Sequence, residues 1–254
     1  MTLQPFSASA LLDIWERGAA LSPVAQALVI LAVAFPDVPA DRLAHLTIGQ
    51  RDAILLKLRE LTFGPHLKGL EACPACGERL EMAFEVCDLR RSDAALPDLA
   101  TDQAVAATGS LTISPYQVNF RLPDSADLNA VAGMEEPRLA RQQLLLSCLL
   151  KISKDGQATS AGELPAEVLE AVMERMTQAE PLADLTLAVT CPACGHSWQV
   201  LFDIVSFFWS EINAWSARLL REVHVLASAY GWRETDILAM SAWRRQRYLE
   251  MVGI

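Results

Sequence analysis

The pentapeptide Cys-Pro-Ala-Cys-Gly occurs twice in this chain, first as Cys73-Pro74-Ala75-Cys76-Gly77 and again at residues 191–195. Two residues between cysteines allow a tight turn to direct both sulfur atoms at one tetrahedral metal ion. Proline stiffens such a turn, and glycine supplies the positive φ at which the chain leaves it. We therefore expect the two copies to meet at one structural zinc ion, with four thiolate ligands: Cys73, Cys76, Cys191 and Cys194.

Each copy is followed by alternating apolar residues, a pattern typical of a β-strand. After the first copy these residues are Leu80, Met82, Phe84 and Val86. After the second copy they are Trp198, Val200, Phe202 and Ile204. Two knuckles of this kind predict a zinc-ribbon-like antiparallel sheet.

The two cysteine pairs are far apart in the sequence, because residues 77–190 separate them. The length-dependent entropy of closing such a loop costs roughly 4 kcal/mol. A structural zinc site contributes about 10 to 16 kcal/mol of binding free energy near neutral pH. One zinc ion is therefore sufficient to hold the two remote segments together.

Other chemistries compete with a structural zinc site. Disulfides need an oxidising compartment, and residues 1–18 lack the basic start and unbroken apolar stretch of a signal peptide, so we expect reduced thiols. A thioredoxin-like redox pair would open a helix, whereas strand patterns follow both copies. A catalytic zinc keeps an open coordination position, and four cysteines close it. His196 could replace a ligand, but Cys194 already takes that position, which leaves His196 as a surface residue near the site.

Composition limits the classes of function. The chain of 254 residues is 52% hydrophobic and 20% charged, which indicates a folded protein. Its net charge of -10 argues against nucleic-acid binding, which needs a basic face. The apolar run at residues 27–35 is far shorter than the roughly 20 residues that span a bilayer. We expect a protein that is made and assembled in the cytoplasm without a membrane span.

The patterns predict an α+β fold. Helical N- and C-terminal regions surround the zinc-ribbon-like sheet, which carries a long α+β insertion. We predict four parts: an N-terminal helical region at 1–70, a split zinc ribbon at 71–89 and 184–204, the insertion at 90–183, and a C-terminal helical arm at 205–254.

In the N-terminal region the apolar spacing predicts three helices. The first spans residues 9–18. Ser22 caps the second, which runs from Pro23 to Ala34, and Thr47 caps the third, which ends at Gly64.

Within the insertion, the apolar residues of 90–109 show no sustained helical or strand periodicity, which is typical of a linker or lid. The next segment, 111–123, is strand-like, and Pro115 suggests an edge strand or a bulge. We predict helices at 125–133, 137–152 and 165–178, a loop at 154–162 and a strand at 184–190. Cys148 should be a buried, inert thiol. Cys87 could be a spare ligand, but a fifth thiolate has no place in a tetrahedral shell.

The C-terminal arm is rich in aromatic residues and arginine. All tryptophans except Trp15 lie at or after Trp198. We predict a long helix that Gly231 ends, a short helix at 234–239, and a last helix capped by Ser241. Because Trp, Tyr and Arg dominate binding hot spots, six residues of the arm are candidate partner-binding residues. They are Trp209, Trp215, Trp232, Trp243, Arg244 and Arg245.

No catalytic arrangement is evident. The sequence has no GxxxxGK[ST] phosphate loop, no GxSxG elbow and no HExxH helix. The acidic pair Asp124 and Asp127 lies at a helix start, where the helix dipole favours negative charge. We therefore predict a protein that is not an enzyme.

Four segments carry a resemblance to a known family. They are IGQRDAILLKLRELTFGPHLKGLEACPACGERLEM from Ile48, VNFRLPDSADLNAVAG from Val118, CPACGHSWQV from Cys191 and YGWRETDILAMSAWRRQRYLEMV from Tyr230. In this order they resemble the T-even bacteriophage baseplate-hub protein family, whose zinc-knuckle relatives occur in phage tails and contractile injection systems. The resemblance implies a non-enzymatic role in building a baseplate, as a part of the particle or as an assembly factor, with other tail proteins as partners.

Two alternatives remain open at this point. A zinc-ribbon adaptor or nucleic-acid-binding protein unrelated to tails would also use the CPACG pair, and so would a redox protein. The acidic charge disfavours the first, and the strands that follow the cysteines disfavour the second.

Overall fold

The computed structural model describes residues 3–89, 96, 99 and 107–253. Most of the predicted linker at 90–109 lies outside these residues. Within the described residues the fold is α+β, with a predominance of helix and three small antiparallel sheets. The elements before the first sheet are α1 (Ala8–Gly18), α2 (Pro23–Ala34), α3 (Ala40–Ala44) and α4 (Ile48–Phe63).

The helix starts follow the predicted caps. The Ser22 hydroxyl accepts a hydrogen bond from the Ala25 backbone N–H at the start of α2. Thr47 forms a reciprocal capping box with Gln50 at the start of α4. Gly64, with a φ of 90°, ends α4. The short helix α3 was not predicted.

Two separate β-hairpins carry the CPACG copies. The first pairs β1 (His66–Ala72) with β2 (Arg79–Glu85), and the short helix α5 (Val86–Leu89) follows. The second pairs β7 (Thr186–Thr190) with β8 (Ser197–Leu201). The alternating pattern predicted β2 and β8, although both strands end before the predicted Val86 and Ile204, which lie in helices.

Between these hairpins the insertion forms its own sheet, in the order β3-β4-β5-β6. The insertion also contains three helices: α6 (Ser125–Val131), α7 (Pro137–Cys148) and α8 (Ala166–Ala179). The strands are β3 (Thr108–Ile113), β4 (Tyr116–Arg121), β5 (Leu149–Lys154) and β6 (Gln157–Ala158).

Two predictions in the insertion were wrong. Pro115 lies in the turn between β3 and β4, after a cis peptide bond, and not within one strand. The helix predicted to reach Ile152 ends at Cys148, because Leu149 to Lys154 pair with β4 as strand β5. Ile152 thereby packs into the hydrophobic core of the insertion with Val118 and Val172.

The C-terminal arm consists of the long α9 (Ile204–Tyr230), the short α10 (Glu234–Leu238) and α11 (Ala242–Val252). Gly231 ends α9 with a φ of 68°, as predicted. The first half of α9 packs with α1, α2 and α4 in the largest core, through Phe208 and Ile212. Its second half forms a smaller core with α10 and α11, around Leu226 and Ile237. The long helix α9 therefore links both cores.

Candidate metal centre

The two CPACG turns have the same backbone geometry. In the first, the Cys73 N–H donates to the Glu78 carbonyl at 2.8 Å, and the Gly77 N–H donates to the Cys73 carbonyl at 2.9 Å. In the second, Cys191 and Gly195 repeat these bonds at 2.8 and 2.9 Å. Gly77 and Gly195 have φ values of 76° and 74°, a region that favours glycine. The repeated pentapeptide therefore folds into the same turn twice.

The two turns bring all four predicted cysteines together. Their Sγ atoms lie within 4.8 Å of one another. Cys73 and Cys194 are 3.7 Å apart at sulfur, and so are Cys76 and Cys191. Four sulfurs bound to one zinc at about 2.3 Å would be about 3.8 Å apart at the corners of a tetrahedron, whereas a disulfide would need about 2 Å. The arrangement has the dimensions of a tetrahedral metal site.

The site is enclosed on one side only. The first cysteine of each copy, Cys73 or Cys191, is buried, and the second, Cys76 or Cys194, is exposed. An ion bound among them would therefore lie between the protein interior and the surface.

The electrostatics of the four thiols favour a cation. Desolvation raises the pKa of Cys73, but backbone N–H groups of Cys76 and Ala75 oppose it and lower that pKa to about 7. At Cys76 the backbone N–H of Glu78 lowers the pKa, but the neighbouring thiol of Cys194 and desolvation outweigh it and raise the pKa to about 12. Because Cys73 also raises the pKa of Cys76, ionisation of both thiols is unfavourable unless a cation lies between them. A metal ion would compensate the four negative charges.

Aromatic residues join the two hairpins beside the cysteines. Phe84 of β2 meets Phe202, just after β8, edge to face with ring centroids 5.5 Å apart. Phe202 also contacts Phe207 of α9 at 5.4 Å. These rings pack against the largest core. The helical body therefore holds both hairpins in place together with the cysteine cluster.

The remaining cysteines and His196 lie outside the cluster. His196 stacks on Trp198 with centroids 5.8 Å apart. Cys87 is exposed in α5, beside Glu85, whose hydrogen bond raises the pKa of the thiol. Cys148 is buried as predicted, and burial raises its pKa to about 11. None of the three belongs to the four-cysteine group among the described residues.

Three of the candidate partner-binding tryptophans pack within the protein. Trp209 is partly buried against α1, where a Cβ on Gly18 would lie 2.4 Å from its ring. Trp215 packs between the two cores that α9 joins. Trp232 stacks on Tyr230 at 4.4 Å. Their side chains therefore serve internal packing to a large extent.

The remaining candidates lie on α11 and point in different directions. Trp243 is 70% exposed. Arg244 is exposed and lies over the ring of Tyr248 at 5.8 Å. Arg245 is 3% exposed, and its Nε donates to Glu222 at 3.0 Å. The Arg245 side chain therefore points into the protein, whereas Trp243 and Arg244 lie at the surface.

Sequence reasoning missed the contacts that attach the insertion to the helical body. His45 Nδ1 lies 2.9 Å from Asp124, and Glu180 accepts hydrogen bonds from the Thr47 hydroxyl and the Gly49 N–H. A backbone bond from Ile48 N–H to the Pro123 carbonyl lies beside them. The capping pattern of Asp124 and Asp127 was a signal for the helix start, but no local pattern indicates a partner so distant in sequence.

The fold and the site together define an α+β protein built around a four-cysteine cluster suited to a metal. The chain belongs to the family described as T4 bacteriophage base plate protein, whose sequence model matches residues 28–209. This range includes both CPACG copies and the insertion, and it ends within α9. Membership indicates a structural role in a phage baseplate and confirms the resemblance seen in the sequence.

No curated protein and no solved structure matches the chain. Within residues 3–89 and 107–253, no helix is both long and apolar enough to cross a bilayer.

Proposed function

We propose that this protein is a non-enzymatic, zinc-stabilised structural component of a phage-tail-like baseplate that binds other tail proteins. The family membership supports the baseplate role. The observation that carries the zinc proposal is the cluster of four sulfur atoms, all within 4.8 Å of one another. Cys73, Cys76, Cys191 and Cys194 would hold the ion, and the two hairpins would form a split zinc ribbon.

The nature of the ligands favours zinc. Four thiolates in a tetrahedral arrangement select zinc or iron among common metals, and a closed shell suits a structural role. Zinc has no redox chemistry and no preferred d-electron geometry, so it would supply cross-linking alone. Its role here would be to fix the ends of the insertion.

Metal analysis of the purified, reduced protein tests this proposal. We expect about one zinc per chain in the wild type and a strongly reduced content in Cys191→Ser, which removes a buried ligand. Cys87→Ser is the matched control, since Cys87 is an exposed thiol outside the cluster. A wild-type protein without metal, or equal zinc content in the three proteins, would contradict the proposal.

The C-terminal arm is the proposed docking element, and α11 supplies its most accessible surface. Trp243, Arg247 and Met251 follow one another at intervals of four residues and therefore lie on one helix face. Trp243 and Met251 are 70% and 74% exposed, and the Arg247 guanidinium lies 5.3 Å from the Trp243 ring. We call these three residues the exposed stripe. An accessible Trp beside an Arg has the composition of a binding hot spot.

A pull-down with tail proteins of the same particle tests the docking proposal. Trp243→Ala should reduce capture at least about tenfold, since a hot-spot residue contributes about 2 kcal/mol or more. Leu139→Ala on α7 is the matched control, because Leu139 is also an exposed apolar residue, 54% accessible, but outside the arm. Undiminished capture by the Trp243 variant, with an unchanged circular dichroism spectrum, would refute docking through the stripe.

A further inference from the structure

A cleft between α9 and α11 lies apart from the exposed stripe. It has a volume of about 340 Å³, within the range of ligand pockets. Its walls come from both helices, and its lining residues are Trp215, Arg218, Leu219, Glu222, Ala242, Arg245 and Gln246. The cleft therefore combines an aromatic wall, an aliphatic wall and charged groups.

The charges in the cleft do not balance. Glu222 is its carboxylate, and it already accepts a hydrogen bond from Arg245 Nε at 3.0 Å. Arg218 lines the same cleft and forms no ion pair with any described residue. Two guanidinium groups thus face one carboxylate, which leaves one positive charge without a partner.

The guanidinium of Arg245 in the cleft is held by two hydrogen bonds. The side chain is almost fully buried, with Nε bound to Glu222 and Nη1 bound to the Met240 carbonyl at 2.7 Å. Its second amino group donates to no residue in the described part of the chain. A buried, hydrogen-bonded guanidinium and the exposed Arg218 in the same cleft suit a carboxylate, which arginine binds in a planar, bidentate manner.

We propose that this cleft binds an acidic side chain, Asp or Glu, on a segment of a partner protein, with the neighbouring apolar residue of that segment against Trp215 and Leu219. The proposal rests on the proposed docking of the C-terminal arm and names the chemistry of its partner. Charge complementarity supports it, because residues 205–254 contain more arginines than acidic residues in a chain of net charge -10. The same overall charge opposes a polyphosphate partner.

Peptide binding followed by nitrogen-15 NMR tests the proposal on the protein of residues 1–254, purified without a chelator. The probe is a short peptide of alternating Glu and Leu, and the control peptide has Gln in place of Glu. We expect the Glu peptide to shift the indole N–H signal of Trp215 and the Nε–H signal of Arg218. The Gln peptide should leave both signals in place.

Variants locate the interaction. Arg218→Ala should lower the affinity for the Glu peptide at least tenfold. Arg218→Lys should retain part of the affinity, since lysine keeps the charge but loses the bidentate geometry. Arg221→Ala is the matched control, because Arg221 is exposed on α9 but does not line the cleft. Arg218 is exposed, so its replacement should leave the fold intact.

The outcomes separate this proposal from docking through the exposed stripe. Three outcomes would overturn the acidic-segment proposal. The Gln peptide could shift the two signals as much as the Glu peptide does, or Arg218→Ala could bind the Glu peptide as tightly as the wild type. Equimolar inorganic phosphate could also displace the Glu peptide. Because the peptide assay uses no tail protein, its result does not depend on the Trp243 pull-down. If the peptide binds as described while Trp243→Ala leaves capture unchanged, the acidic-segment proposal is supported and docking through the exposed stripe is refuted.

Discussion

His45 lies at the end of α3, where its Nδ1 is 2.9 Å from a carboxylate oxygen of Asp124 in the insertion. The hydrogen bond to Asp124 raises the pKa of His45 above its ordinary 6.5, against a smaller effect of burial, and the nearby Asp41 adds to the rise while Arg121 opposes it. A raised pKa means that the folded state holds the proton more tightly than the unfolded state. Protonated His45 therefore stabilises the contact between the helical body and the insertion.

This contact should make stability depend on pH. The contribution of His45 should be fully present below pH 6.5 and should decline as the pH rises through the raised pKa of the folded state. His45→Gln should lose this part of the pH dependence in urea unfolding measured across that range. His224→Gln, at an exposed position on α9, should keep the wild-type profile. Parallel profiles for wild type and His45→Gln would show that the pair contributes nothing.

At the scale of elements, α4 begins against a carboxylate from a distant part of the chain. Glu180, just after α8, accepts hydrogen bonds from the Thr47 hydroxyl and, at 3.0 Å, from the Gly49 N–H. A helix N-terminus has unpaired N–H groups and a partial positive charge, so a carboxylate there is favourable. A Cβ on Gly49 would lie 2.9 Å from the Glu180 carboxyl group, which explains the glycine. Glu180 thus ties the insertion to the first turn of α4.

Removal of this carboxylate should destabilise the junction. Glu180→Ala should lower the free energy of unfolding by about 1 to 3 kcal/mol, because it leaves a largely buried N–H and hydroxyl without an acceptor. Glu170→Ala, on the exposed face of α8, should change it by less than about 0.5 kcal/mol. Chemical denaturation of the three proteins measures the difference. Equal denaturation midpoints and slopes for both variants would show that Glu180 does not stabilise the junction.

Across the whole molecule, the cysteine cluster joins the two ends of the insertion, and we propose that residues 90–183 form a unit of their own. Most of its buried hydrophobic residues pack among themselves, around Phe120 and Val172, whereas Leu99 packs in the largest core. Contacts to the helical body come from the hairpins, from Glu180 and from the region of Asp124. The metal would be the strongest of these attachments.

Metal removal should therefore loosen the insertion more than the helical body. A strong chelator should lower the free energy of unfolding by several kcal/mol, a part of the about 10 to 16 kcal/mol that a structural zinc site contributes near neutral pH. Limited proteolysis of the chelated protein should then cut the hairpins and the insertion before α1, α2 and α4. Added zinc should restore resistance in the wild type but not in Cys191→Ser. A cleavage pattern that the chelator leaves unchanged would contradict the prediction that the metal stabilises the insertion.

Local patterns predicted much of this protein from the sequence. The CPACG turns form through bonds among six consecutive residues, so Cys73 and Cys191 adopt their conformations without help from the rest of the chain. The caps at Ser22 and Thr47 and the helix end at Gly231 are likewise local. The meeting of the two turns was also predictable, because four thiolates complete the tetrahedral coordination of one zinc ion.

Only the tertiary structure decided the remaining features. The segment from Leu149 to Ile152 has apolar spacing that suits either a helix or a strand, and pairing with β4 selects the strand. Arg245 points inward because Glu222, on another helix, accepts its hydrogen bond. Glu180 caps a helix that begins far away in the sequence. Bonds within a few residues determined the turns and caps, whereas these orientations depend on partners that folding alone brings within reach.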